Sequence, residues 1–203
     1  MNKKEKRTAK EELTRYLGTR MRTVAEVRNH LAEKEYEAAE IQEAIERFLQ
    51  LGYLDDVDYA RAYCEYAYGK GRGRIRIAAE LKQRGVDTET AQNAIEDYLY
   101  EAGVDELSLA RKQAEKVLAE KVIGQKLLTE KASGEKIFAE KPLGENVFGE
   151  GMLAENVAAK ESHLPLNPKL EARIARKLEQ LGYSTSIILR VLGEIRARAE
   201  QNE

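Results

Sequence analysis

Three stretches of the chain share one spacing of apolar residues. In the first stretch, Val27 and Leu31 stand four residues apart, and Ile41 and Ile45 repeat that spacing after a polar interval. The corresponding residues are Ile77, Leu81, Ala91 and Ile95 in the second stretch and Ile174, Leu178, Ile188 and Leu192 in the third. Apolar residues at positions i and i+4 lie on one face of an α-helix. Each stretch is therefore predicted to form a helical hairpin.

The turn inside each predicted hairpin lies four residues after the second apolar position. Gly85 and Gly182 occupy this place in the second and third stretches, and glycine readily adopts the left-handed conformation that ends many helices. Glu35 replaces it in the first stretch, so we expect that turn to be less sharp or slightly strained. Thr88 and Ser184 are candidates to accept hydrogen bonds from the first amides of the following helix.

A further helix is predicted beside each hairpin. One begins at the acidic pair Asp55 and Asp56, either of which is a candidate N-cap, and its counterpart begins near Leu107. Thr23 and Glu26 fit the capping-box pattern at the start of the first hairpin. The repeated order of helices predicts an all-α protein.

The predicted architecture is three tandem three-helix repeats, at residues 1–56, 57–106 and 107–203. Repeats this small bury too little apolar surface alone, so neighbours are expected to pack into an elongated, curved array.

A ten-residue repeat interrupts the third three-helix repeat at about residues 120–160. Its recurring acidic residues are Glu120, Glu130, Glu140 and Glu150. Ten residues advance a helix by about 1000°, roughly 80° short of three turns, so the apolar residues would wind around the axis. One glycine in most units costs about 1 kcal/mol each time. This decapeptide array is therefore predicted to be a mobile insertion with transient helical turns.

Composition favours a soluble helical protein. The chain has 203 residues, of which 34% are charged, with only three Pro and no Trp. Its single cysteine, Cys64, excludes an internal disulfide and is interpreted as a small core residue. The charged N-terminal segment resembles no secretory signal, and no apolar run approaches the roughly 20 residues of a membrane span. These features predict a cytoplasmic protein.

Charge alternates in blocks along the chain. Residues 1–30 and 61–84 carry an excess of Lys and Arg, whereas residues 31–60 and 85–119 carry an excess of Asp and Glu. The cations that directly precede the first two hairpins are Arg20, Arg22, Lys70, Arg72, Arg74 and Arg76. Cations at a helix N-terminus oppose the helix dipole, so a partner outside the helix explains them better than solvation does. We predict that these six residues form a cationic ridge that binds phosphates or carboxylates.

No pattern of catalytic or metal-binding residues is found in the sequence. His30 and His163 stand far apart without metal-ligand spacing, and neither a phosphate-binding glycine loop nor a nucleophile elbow occurs. Asp55 and Asp56 are better explained as helix caps than as an acid–base pair. We therefore expect a non-enzymatic protein without metal or cofactor.

Three sequence motifs resemble the bacterial RecX family. They are Tyr16-Leu17-x-x-Arg20-x-Arg22-Thr23-x-x-Glu26-Val27, Leu51-Gly52-Tyr53-Leu54-Asp55-Asp56-x-x-Tyr59-Ala60 and Gly71-x-x-Arg74-Ile75, the last followed by Leu81 and Gly85-Val86. The resemblance covers roughly residues 12–119 and 166–198. Glu35 and the decapeptide array depart from the family pattern.

The resemblance implies a regulator of the RecA recombinase. Proteins of this family bind the RecA nucleoprotein filament along its groove and inhibit strand exchange, ATP hydrolysis and co-protease activity. A monomer with weak, non-specific affinity for DNA is expected on this basis.

Two other functions remain open from the sequence. A helix-turn-helix DNA-binding regulator would have similar hairpins, but its recognition helix should present Arg, Asn or Gln to base edges. Here the second helices of the first two hairpins, predicted at Glu37–Phe48 and Thr88–Leu99, are acidic. A general helical adaptor for other proteins is the second alternative.

Overall fold

The computed structural model describes residues 7–103, 105–132 and 167–200, and all regular structure in these ranges is α-helical. The helices are α1 (Ala9–Leu17), α2 (Val24–Glu33), α3 (Ala38–Gln50), α4 (Asp56–Gly69), α5 (Arg74–Gln83), α6 (Thr88–Glu101), α7 (Glu106–Ala132), α8 (Pro168–Leu181) and α9 (Thr185–Glu200). The predicted all-α class is thus confirmed. The chain divides into two compact units, Met1–Glu106 and Leu107–Glu203.

The three predicted hairpins are α2–α3, α5–α6 and α8–α9, and their turns share one geometry. The residue after each turn donates its backbone amide five residues back, from Tyr36 to Leu31, from Val86 to Leu81 and from Tyr183 to Leu178. Gly85 and Gly182 have φ angles of 83° and 86°, and Glu35 has a φ of 58°. The first turn is therefore as tight as the others, and Glu35 is held in a left-handed conformation that costs an L-residue about 1–2 kcal/mol.

Helix caps follow the sequence prediction at three of four places. Asp55 is the N-cap of α4, Thr23 and Glu26 form a capping box at α2, and Ser184 accepts a hydrogen bond from the Ile187 amide. The prediction for Thr88 was wrong, because Asp87 accepts the hydrogen bond from the Thr90 amide at 2.9 Å. Asp87 has the extended backbone required of a cap, which leaves Thr88 as the first helical residue.

The hairpins α2–α3 and α5–α6 meet through backbone contacts. The Thr23 hydroxyl donates to the carbonyl oxygen of Arg84 at 2.6 Å. Gly85 approaches α2 so closely that a Cβ atom at this position would overlap the Cβ of Ala25. Together these contacts fix the turn of the second hairpin against the start of the first.

The start of each following helix also caps the preceding hairpin. Asp56 of α4 accepts a hydrogen bond from the Val24 amide at 2.9 Å, and Glu106 of α7 accepts one from the Arg74 amide at 2.8 Å. The same capping role thus recurs in successive repeats. Burial raises the pKa of both carboxyl groups, so part of the benefit of these caps is offset by desolvation.

The core of unit 1 contains Leu13, Val27, Leu31, Ile45 and Leu54 in its first half. In the second half, Cys64 is fully buried, which confirms its interpretation as a small core residue.

In unit 2, α7, α8 and α9 pack around Ala110, Ile174, Leu178 and Val191. Arg111 of α7 and Glu194 of α9 form a bidentate ion pair with N–O distances of 2.5 and 2.8 Å.

Helix α7 extends into the decapeptide array, further than predicted from the sequence. It runs through the first decapeptide to Ala132, although residues from about 120 onward were predicted to form only transient helical turns. The segment between 121 and 132 is rich in Leu, Lys, Gln and Glu, which favour helix strongly enough to outweigh one glycine. The rest of the predicted array, residues 133–160, lies outside the described residues.

Candidate partner-binding surface

A cluster of charged and aromatic side chains links α4 with α5. One Nη atom of Arg72 donates to the Tyr63 hydroxyl at 2.9 Å and to Glu80 Oε2 at 2.8 Å. The Tyr63 hydroxyl also donates to Glu80 at 2.6 Å, and Arg76 Nε donates to the other oxygen of the same carboxylate at 2.9 Å. Tyr63, Arg72, Arg76 and Glu80 are called the Glu80 cluster below. It fixes the positions of two guanidinium groups.

Electrostatic interactions within the Glu80 cluster favour the ionised carboxylate. Partial burial alone would raise the pKa of Glu80, but hydrogen bonds from Tyr63 and Arg76 and the charges of Arg72 and Arg76 hold it below its ordinary value. Burial, and then the hydrogen bond to Glu80, raise the pKa of Tyr63. The tyrosine therefore remains a neutral donor, and two positive charges face one negative charge.

Lys70 and Tyr66 extend this cluster toward solvent. The Lys70 ammonium lies 6.0 Å and the Arg72 guanidinium 5.6 Å from the centre of the Tyr66 ring. The Tyr66 residue is 54% exposed. Three of the six predicted cations, Lys70, Arg72 and Arg76, thus lie in one region with the exposed Tyr66 and the buried Tyr63.

Arg84 connects this region to the first hairpin and was missed by the sequence analysis. Its guanidinium lies 5.0 Å from the Tyr63 ring centre and donates to Glu26 at 3.4 Å. Arg20 donates to the same Glu26 oxygen at 3.2 Å. The position of Arg84 directly before the turn glycine of the second hairpin could have indicated that it lies near the first hairpin. A cation at a helix C-terminus is, however, already explained by its favourable interaction with the helix dipole, so the sequence offers no reason to look for a further partner.

Glu26, the partner of Arg20, lies near other acidic groups. The charges of Asp55, Asp87 and Glu26 all act on Asp56 and add to the rise in its pKa caused by burial. Arg20 is therefore paired with a carboxylate that lies near other negative charges, whereas the cations from Lys70 to Arg76 follow one another between the end of α4 and the first turn of α5.

Arg22 and Arg74 have other partners. Arg22 lies 4.2 Å from the centre of the Tyr16 ring, and that ring stacks on His30 at 3.8 Å. His30 in turn forms a hydrogen bond with Glu12 at 3.0 Å and lies at the boundary of the core. Arg74 lies 3.7 Å from Glu96 of α6.

Metal-binding groups of three or more His, Cys, Asp or Glu are not found among the described residues. None of the described helices is both long and apolar enough to cross a bilayer. Asp55 and Asp56 are both engaged with backbone amides at helix starts.

The described residues define a class of protein: a tandem array of small three-helix domains whose α4–α5 region carries a cation-rich surface. The family description "RecX, first three-helix domain" matches residues 9–48, and "RecX, second three-helix domain" matches residues 55–95. The chain belongs to the RecX family of regulatory proteins, because it also covers 68% of the regulatory protein RecX of Vibrio parahaemolyticus at 37% identity over 109 residues.

Other relatives are longer than the region they share with this chain. The regulatory protein RecX of Bacillus licheniformis is 34% identical over 107 residues, which are 52% of this chain but only 40% of that protein. The crystal structure of RecX from Lactobacillus salivarius superposes with a TM-score of 0.61 over 93% of this chain and 95% of that one, at 17% identity. This structural likeness supports the fold.

Proposed function

We propose that this protein binds the RecA nucleoprotein filament and inhibits the recombinase, ATPase and co-protease activities of RecA. Membership of the RecX family supports a regulatory role. The observation that carries the proposal is the Glu80 cluster, which presents two guanidinium groups in fixed positions. Preorganised arginines lose little conformational freedom when they bind a phosphate or carboxylate.

We also propose that the six predicted cations, Arg20, Arg22, Lys70, Arg72, Arg74 and Arg76, contribute unequally to this binding. Lys70 and Arg72 lie beside the exposed Tyr66, and Arg76 shares the Glu80 carboxylate with Arg72. Arg20 is instead paired with Glu26, which lies near other acidic groups. The first three should therefore account for most of the affinity. The division into repeats at 1–56, 57–106 and 107–203, the monomeric state and weak non-specific DNA binding belong to the same proposal.

The decisive experiment compares two double variants in a RecA ATPase assay on single-stranded DNA. Lys70→Gln with Arg76→Gln removes two charges from the proposed surface. We expect inhibition to weaken by at least about tenfold, since two charge-assisted contacts of about 1 kcal/mol or more are lost.

The matched control is Arg61→Gln with Lys82→Gln, which removes two charges from α4 and α5 outside the Glu80 cluster. It should inhibit like the parent protein. Arg72 is left in place, because it holds both Tyr63 and Glu80, whereas Arg76 contacts only Glu80 within the cluster. Equal inhibition by both double variants, with helical content unchanged, would contradict the proposed surface.

An operator-binding function is less consistent with the described hairpins. Helix α6, the second helix of its hairpin, contains Glu89, Glu96, Asp97 and Glu101 and no Lys or Arg. Acidic side chains repel phosphates, so this helix is poorly suited to the major groove. Recovery of a defined operator from a pool of random duplexes would favour that alternative, and co-purification of unrelated proteins without RecA would favour a general adaptor.

A further inference from the structure

Tyr66 is the exposed end of a row of tyrosines on α4. Tyr59 and Tyr63 are 6% and 9% exposed, whereas Tyr66 is 54% exposed. The Tyr66 ring still contacts the row, with its centre 6.2 Å from that of Tyr63. A large aromatic ring is thus anchored to the core on one side and open to solvent on the other.

Two cations accompany the exposed ring. Lys70, the C-cap residue of α4, lies four positions after Tyr66, which brings the two side chains together, and its ammonium is 6.0 Å from the ring centre. Arg72 lies 5.6 Å from that centre and is held by Glu80 and Tyr63. An aromatic ring beside fixed positive charges combines the two groups that recognise a nucleotide: a stacking surface for the base and donors for the phosphate.

We propose that Tyr66 stacks on an unpaired base of single-stranded nucleic acid while Lys70 and Arg72 contact the adjacent phosphates. Base pairs in a duplex hide their faces in the helical stack, so Tyr66 can add affinity only for an unpaired strand. This inference deepens the proposed function by naming the chemistry of one ligand of the same surface. It concerns nucleic acid alone and is testable without RecA.

The test measures fluorescence anisotropy of a labelled single-stranded oligodeoxynucleotide and of a duplex of equal length, with the full chain and no other protein. Tyr66→Ala should weaken binding to the single strand roughly 5- to 100-fold, the range for loss of one base–aromatic stack. It should leave duplex binding within about twofold. Tyr66→Phe keeps the ring and should retain the parent affinity, which also guards against a folding defect in the alanine variant.

The dependence of affinity on salt concentration distinguishes the stacking contribution of Tyr66 from the electrostatic contribution of Lys70. Tyr66→Ala removes no phosphate contact, so the slope of log affinity against log salt should stay unchanged. Lys70→Gln should reduce the magnitude of that slope for the single strand by about 0.7. The matched aromatic control is Tyr100→Ala, which removes an 89%-exposed tyrosine from the acidic helix α6 and should have no effect.

Three results would overturn the inference: no measurable binding of the single strand, equal losses for single strand and duplex in Tyr66→Ala, or failure of Tyr66→Phe to retain affinity. Equal losses would mean that the ring only supports the two cations. Because RecA is absent, these outcomes are independent of the ATPase experiment, and either proposal can fail while the other stands.

Discussion

Individual side chains in this protein owe their chemistry to the neighbours that tertiary structure supplies. Cys64 and Glu80 illustrate opposite cases, since one is buried without a charged partner and the other is surrounded by donors. Burial raises the pKa of the Cys64 thiol to about 11, whereas its neighbours lower that of Glu80. Each pKa shift predicts a property that can be measured: the reactivity of the Cys64 thiol and the pH dependence of stability due to Glu80.

Cys64 should resist thiol reagents in the folded protein. At pH 8 the raised pKa reduces the thiolate fraction by at least about 100-fold relative to an ordinary cysteine, and burial blocks access as well. The labelling rate with a chromogenic disulfide reagent, compared with the rate in denaturant, measures this protection. Equally rapid labelling in both states would show that the α4 core opens freely.

Glu80 should stabilise the protein at neutral pH and lose this effect in acid. Because its pKa is lower in the folded state, its contribution is present above the ordinary glutamate pKa of about 4.3 and is lost as pH falls through the folded value. Glu80→Gln should lower the free energy of unfolding by about 2 kcal/mol at pH 7, the scale of a hydrogen bond to a charged group.

Urea unfolding of both proteins between pH 3 and 7 checks this expectation. The difference between Glu80→Gln and the parent should shrink toward pH 3. A difference that stays constant with pH would mean that the ionisation of Glu80 does not contribute to stability.

At the scale of helices and turns, two glycines with different backbone conformations allow the effect of backbone strain on stability to be separated from the effect of helix propensity. Gly193 lies within α9, and a Cβ atom added there would meet no heavy atom within 4 Å. Gly52 has similarly open surroundings but a φ of 71°. The same substitution should therefore have opposite effects at these two places.

Gly193→Ala should raise the free energy of unfolding by about 0.5–1 kcal/mol, because alanine restricts the unfolded chain and favours helix. Gly52→Ala should lower it by about 1–2 kcal/mol, since an L-residue is strained at positive φ. Urea denaturation followed by circular dichroism measures both. A loss of stability in Gly193→Ala would show that the open face of α9 meets another surface.

At the scale of the whole molecule, the fold of unit 1 depends on how closely its two hairpins approach. Gly85 combines a φ of 83° with a Cβ direction that is blocked by Ala25. In the same turn, the carbonyl oxygen of Arg84 accepts a hydrogen bond from the Thr23 hydroxyl. These contacts set the position of Arg84 relative to Glu26 and so join the cations of the two hairpins.

Gly85→Ala should destabilise the protein by about 3 kcal/mol or more, because overpacking adds to backbone strain. Gly52→Ala, which carries the strain alone, is the matched control and should cost about 1–2 kcal/mol. Adding Ala25→Gly to Gly85→Ala should recover part of the loss in a double-mutant cycle. Strictly additive effects of the two substitutions would contradict the close approach.

The sequence by itself determined the helical class, the three hairpins and most of their caps. These features depend on interactions between residues within about five positions, such as the i, i+4 apolar pairs and the Thr23–Glu26 capping box, and such interactions leave a direct pattern in the sequence. The resemblance to the RecX family could likewise be recognised from motifs of neighbouring residues in the sequence.

Only the tertiary structure decided which cations share a surface. Arg74 and Arg76 are two residues apart, yet one turns toward Glu96 and the other toward Glu80, because side chains two positions apart point to different faces of a helix. Arg84 lies against the Tyr63 ring and links this surface to Glu26, 58 residues away. Ion-pair partners that are distant in the chain are chosen by packing, and the charge pattern of the sequence does not specify them.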